Sequence, residues 1–144
     1  MGNNPFRQER SELSDLIQNY LKFKAGQNAL FIDEEGFDKI IDYYNEKESF
    51  NDALEAAGFA CAQFPYSSAL LIKKADVLVS LRRFEESLSV LDFASLFDSA
   101  DALSYIIRTE ALLALDRVDE ALSLFEVICE AFEGEDLTEV LFEI

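Results

Sequence analysis

Ala53, Ser87 and Ala121 stand 34 residues apart, and each is followed by a leucine: Leu54, Leu88 and Leu122. Phe50, Phe84 and Val118 fall three places before them, and Ala60, Ala94 and Ile128 seven places after. A fixed period of this length marks a helix-turn-helix unit that cannot bury its apolar face alone and must stack on its neighbours. The register predicts helices over 34–46 and 50–63, 68–81 and 84–97, and 101–115 and 118–132. In each pair the first helix sets large residues (Phe37, Leu71, Tyr105, then Tyr44, Leu78, Leu112) against small residues of the second, which allows close approach.

The bulk of the chain agrees. At 144 residues, half apolar, it has the size of one domain, and two prolines and five glycines leave long stretches without a helix breaker. A net charge of −17 argues against nucleic-acid binding, which needs clustered Lys and Arg on phosphates. Only three of the 29 acidic side chains, but four of the 12 basic ones, lie in residues 1–30, so the acidity belongs to the repeats. Asp52, then Glu85 and Glu86, then Asp119 and Glu120 open the second helices, where negative charge offsets the helix dipole. The first ten residues contain no signal-peptide run, and no stretch of about 18 apolar residues could span a bilayer. Gly2 lacks the hydroxyl residue of a myristoylation motif, since Phe6 stands in its place. The expectation is a soluble, cytoplasmic protein that engages no membrane.

Residues 1–10 are read as a flexible N-terminus. Residues 11–33 should hold a helix capped by Ser11 or Ser14, with a stripe of Leu13, Leu16, Ile17, Tyr20 and Leu21, then a connector over 25–32 and a capping Asp33. Three repeats follow at 34–67, 68–101 and 102–135. The remainder, 136–144, reads as the start of a fourth repeat in a longer array, or as a makeshift cap of the kind a solenoid needs.

Catalytic chemistry is sparse. The chain has no histidine, which removes Ser-His-Asp and Cys-His nucleophiles and every histidine metal site. Cys61 and Cys129 occupy the same place two periods apart, beyond disulfide reach, and are read as buried reduced thiols. There is no GxxxxGK[ST] or GxGxxG. The clusters Asp33-Glu34-Glu35 and Glu133-Gly134-Glu135-Asp136 lack the alternating oxygens of a calcium loop and read as solvated helix starts. No enzyme activity, cofactor or metal is expected.

Phe37, Ile40, Tyr44, Phe50, Ala53, Ala60 and Pro65 resemble one tetratricopeptide repeat in the order and spacing of their aromatic, aliphatic, alanine and proline positions. Repeats two and three match more loosely, with Ser99 and Glu133 in place of the closing proline; Ile41, Ala75 and Thr109 stand where the family carries glycine. The run FIDEEGFDKIIDYY also looks like the lead-in of long bacterial arrays of this family. The resemblance implies an all-α, right-handed superhelical solenoid of antiparallel helix pairs, about three repeats with an N-terminal helix and a partial fourth repeat.

It also implies that the first helices line a concave groove. Equivalent positions then form ladders: Asp38, Ile72 and Ile106; Asp42, Asp76 and Glu110; Lys39, Lys73 and Ile107. Leu103, Ile106, Ile107 and Leu113 would make an apolar floor beside Glu110, suited to an amphipathic helix or a peptide with basic and apolar side chains. The alternative is a wet acidic face whose floor is covered by the N-terminal helix or by further repeats. The clamp by which some relatives hold chaperone C-termini would fall on Asp38, Asp42, Lys73, Leu103 and Ile107, of which only Lys73 suits a carboxylate.

On the second helices Phe59, Phe93 and Val127, with Ala56, Val90 and Leu124 a turn away, could form a patch for a partner or a second copy, or turn inward into the core. Two functional readings follow. One is a non-enzymatic interaction module for protein or peptide partners. The other is a structural or oligomerising segment of a larger multi-repeat protein, its groove occupied internally.

Overall fold

The computed structural model describes residues 5–98 and 101–131. Among them the order is α1 (Pro5–Lys24), α2 (Glu34–Glu46), α3 (Phe50–Gln63), α4 (Ser68–Ser80), α5 (Phe84–Ala94), α6 (Ala102–Ala114) and α7 (Val118–Ala131). The fold is the expected all-α stack of helix pairs, α2/α3, α4/α5 and α6/α7. Consecutive helices pack on each other throughout, and α2, α4 and α6 also touch in series. The second helices approach one another less closely than the first helices do. This unequal spacing bends the stack and puts α2, α4 and α6 on its inner side.

The chemistry of the helix ends repeats with the sequence. Each first helix starts on a side-chain cap: the Asp33 carboxylate accepts the Gly36 N–H at 2.7 Å, Ser67 accepts that of Leu70 at 3.3 Å, and Asp101 accepts that of Leu103 at 2.8 Å. Each also ends alike. Glu48, Arg82 and Asp116, 34 residues apart, are left-handed at φ 57°, 59° and 60°. The following N–H groups, of Ser49, Arg83 and Arg117, reach back to the carbonyls of Tyr44, Leu78 and Leu112 at 2.9, 2.8 and 2.9 Å. These are Schellman-type closures, made without glycine.

Ala53, Ser87 and Ala121 are buried where the paired helices cross. Ser87 retains a polar atom there by donating its hydroxyl to the Ala75 carbonyl at 2.9 Å. One core cluster joins α1 to the first hairpin through Tyr20, Phe37, Ile40, Ile41 and Ala57. A second joins α4–α7 through Ile72, Ala75, Leu91, Ile107 and Leu112. Cys61 packs against both.

Two expectations change. Helix α1 begins at Pro5 rather than at Ser11 or Ser14, so residues 5–10 are helical, though exposed. Proline is preorganised for the first helical position and needs no N–H there, and polar residues can extend an exposed helix without an apolar stripe. Helix α5 stops at Ala94 rather than 97. The connector after α1 turns at Gly26, φ 72°, and is held along the helix by Asn19, whose amide donates to the Leu30 carbonyl at 2.9 Å and accepts its N–H at 2.8 Å. The 136–144 segment and the Glu133–Asp136 cluster lie outside the described residues.

Candidate functional site

The inner face is built on α2, α4 and α6, whose rigid mutual packing fixes the side chains that line it. Asp38 and Asp42 are one turn apart on α2, and Lys73 of α4 lies between them with Nζ 2.6 Å from an oxygen of each. Burial pulls the Lys73 pKa down, but the two carboxylates outweigh it and the ammonium is held above the ordinary lysine range. The lysine is therefore committed to two internal carboxylates. Asp76 lies one turn further along α4 and is exposed. Crowding by surrounding protein raises its pKa; Lys73 opposes this and Asp42 reinforces it. Glu110 extends the acidic row onto α6 and is exposed.

The apolar floor is narrower than the ladder positions suggested. Ile72, Ile106 and Ile107 are buried. The inner helices touch, and Ile72 of α4 and Ile107 of α6 belong to the same core cluster. At the α2/α4 joint the equivalent places carry Asp38 and Lys73, whose charged ends reach the surface. Leu103 and Leu113 remain open, 49% and 48% exposed. Of the expected floor only these two leucines are thus open, and of the expected acidic ladder Asp76 and Glu110 are exposed.

The second-helix residues do not form one stripe. Phe59 is half-buried against Phe23 and Tyr20 of α1, with ring centroids at 5.2 and 6.3 Å. Val90 and Leu124 pack partly into the second core cluster. Phe93 is exposed and meets Phe97 at 5.2 Å, which in turn meets Tyr66 at 5.5 Å. Val127 is exposed on α7.

Two clefts escaped the sequence reading. One, of about 550 Å³, opens on the outer side between α5 and α7 and contains an ion pair of Arg108 with Asp92 at 2.6 Å, with Arg117 between Glu85 and Glu120. Its signal was Arg108, a basic residue two periods after the apolar Ile40 of the first repeat. The other, of about 470 Å³, lies between α1 and α2, where Glu9, Glu12 and Glu46 face Lys39 and Tyr43, and it meets the inner face at Asp42.

Asp33 serves as the α2 cap, Glu34 accepts the Ser67 hydroxyl at 3.1 Å, and Glu35 pairs with Lys39 at 3.4 Å. Cys61 and Cys129 are half-buried free thiols, and burial pushes Cys61 above the usual thiol range despite Lys74. No helix among the described residues is long and apolar enough to cross a membrane.

No family model matches the sequence, and no curated protein matches it. Solved structures do. The chain is similar to the first TPR of Spaghetti (RPAP3) bound to the HSP90 peptide SRMEEVD, at 19% identity and TM-score 0.67 over 80% of this chain and 92% of that one. It is similar to the Arabidopsis OM64 TPR domain, at 18% identity and TM-score 0.66 over 74% and 88%. The second TPR domain of human RPAP3, in complex with the HSP70 peptide SGPTIEEVD, matches at 19% identity and TM-score 0.63 over 72% and 88%. The recurring caps and turns, the layered helix pairs and these likenesses together establish that the chain has the tetratricopeptide-repeat fold.

Proposed function

We propose that the protein is a non-enzymatic interaction module whose inner face takes a peptide or helical segment carrying basic and apolar side chains. The observation that carries this reading is the charge on that face. Asp38, Asp42, Asp76 and Glu110 are set against Lys73, which already bonds two of them. Several carboxylates on one concave surface raise the local concentration of cations and favour a basic segment. Leu103 and Leu113 supply apolar contact at the α6 end. Two of the similar structures hold peptides ending in EEVD. The inner face here has the opposite sign to the one such a tail needs, so the partner is of a different class. Free thiols at Cys61 and Cys129 are in keeping with a reducing, cytoplasmic setting.

Calorimetric titration with a Lys/Leu amphipathic peptide and with an acidic C-terminal peptide tests this reading. The basic peptide binds, with affinity falling as salt rises, and the acidic one does not. Tight, Lys73-dependent binding of the acidic peptide would contradict it. The second reading, a structural or oligomerising segment, draws on the open apolar face of α7.

A further inference from the structure

Helix α1 runs for 20 residues where the first helices of the repeats run for 13. Its later turns are anchored in the core through Ile17 and Tyr20, which are buried. Leu13 and Leu16, earlier along the helix, are only half-buried, and the cleft of about 470 Å³ opens between this stretch and α2. These two leucines form its apolar part, while Glu9 and Glu12 of α1 and Glu46 of α2 supply exposed carboxylates. The lining takes both glutamates from the start of α1 but neither Arg7 nor Arg10, which the helical repeat sets on another side. Among the described residues Glu9 and Glu46 form no ion pair, and Glu12 accepts only the Gln8 amide at 3.5 Å. The nearby cations are already engaged: Lys39, which lines the cleft, pairs with Glu35 at 3.4 Å, and Lys47 donates to the Tyr43 hydroxyl at 2.7 Å. An excess of negative charge is left over an apolar floor.

We propose that this cleft docks a lysine or arginine side chain of the same basic segment that the inner face takes, an inference that rests on that reading of the inner face. The cleft and the inner face share Asp42, so one segment can engage both. A long basic side chain suits this lining, because its aliphatic stem covers Leu13 and Leu16 while its charged head meets the glutamates. A bare cation suits it less well: among the described residues no three carboxylates converge closely enough to hold a metal ion. A second copy of the chain, with its net charge of −17, is repelled. Because α1 stands outside the 34-residue repeat, the cleft also gives the inner face a polarity. The basic end of the segment lies over α2, and its apolar end lies over Leu103 and Leu113 of α6.

The 144-residue chain is titrated calorimetrically with the Lys/Leu amphipathic peptide, alongside the cleft variant Glu9→Gln/Glu12→Gln/Glu46→Gln. A control, Asp119→Asn/Glu126→Gln/Glu130→Gln, removes three charges from exposed positions of α7. Circular dichroism verifies that helix content is equal, as expected for exchanges at exposed sites. The expected result is a loss of about tenfold in affinity and a shallower salt dependence in the cleft variant, with the control within about twofold of the parent. Unchanged affinity in the cleft variant, where Asp76→Asn/Glu110→Gln does weaken binding, would overturn this inference and leave the inner-face reading standing. Equal losses in the cleft variant and the control would overturn it as well, since they would reveal charge attraction without a site, as would displacement of the peptide by calcium at matched ionic strength. A parent protein that binds no peptide would overturn both readings.

Discussion

Lys73 Nζ and Asp42 Oδ1, on neighbouring inner helices, stand 2.6 Å apart, and the same ammonium reaches Asp38 at 2.6 Å. This relationship ties α2 to α4 at a joint where the corresponding α4/α6 contact is made by isoleucines. It also engages the lysine with two carboxylates, while Asp76 and Glu110 remain exposed.

Replacing Lys73 by Met should destabilise the fold by about 1 kcal/mol, a modest figure because both carboxylates are half exposed. The loss should be larger at low salt, where Asp38, Asp42 and Asp76 repel one another unscreened. In the parent protein Lys73 holds its proton more tightly folded than unfolded. Its contribution is therefore complete below the ordinary lysine value of 10.5 and fades as pH rises through the higher folded value. Urea denaturation of both proteins across neutral and alkaline pH gives the comparison; a difference that persists unchanged at high pH would speak against the triad.

Asp76→Asn should raise the melting temperature at neutral pH. The folded carboxyl holds its proton more tightly than the unfolded one, so its ionisation opposes folding above the folded pKa, and this penalty is absent below the unfolded value of 3.8. The advantage of Asn should accordingly vanish in acid, as thermal scans at several pH values would reveal. The same change should weaken binding of a basic peptide, the expected trade between stability and function at a site.

Glycine at Glu48, Arg82 or Asp116 should stabilise by about 0.5–1 kcal/mol each, because it removes the left-handed penalty of an L-residue while adding chain entropy to the unfolded state. Valine at the same places should destabilise by more than about 1 kcal/mol. Equal effects at all three positions, read from chemical denaturation midpoints, would express in energy the repetition seen in the turns.

The Tyr20 ring is fully buried against Tyr44 and Phe59, yet its hydroxyl has no hydrogen-bond partner among the described residues, and burial drives its pKa well up. Tyr20→Phe should therefore be neutral or stabilising by up to about 1 kcal/mol, whereas Tyr20→Ala should cost about 3–5 kcal/mol and loosen α1. Hydrogen exchange of α1 in the two variants separates the ring from its hydroxyl.

The periodic part of the fold was legible because local patterning and stacking obey the same 34-residue rule, so the bounds of α2, α3, α4, α6 and α7 fall within a residue or so of those expected. What was illegible is aperiodic. Pro5–Arg10 has no apolar stripe to announce a helix, although Pro5 itself was a start signal. Phe59 belonged to a repeating stripe in the sequence, but Tyr20 and Phe23 of the non-repeating α1 capture it. Ile72, Ile106 and Ile107 lie on the helices expected but are buried, because ladder spacing shows which residues are equivalent and not how closely adjacent inner helices approach. The Asp38/Asp42/Lys73 triad lay in the ladders, but its closure depends on that same approach.

The central claim is that the carboxylate row selects the partner by charge. Reversing it with Asp76→Lys/Glu110→Lys, while leaving the Lys73 triad intact, and titrating basic and acidic amphipathic peptides against parent and variant is the most direct measurement. The account predicts that the parent binds the basic peptide and that the variant loses it and gains the acidic one. Retention of the basic peptide with unchanged affinity by a correctly folded variant would contradict it.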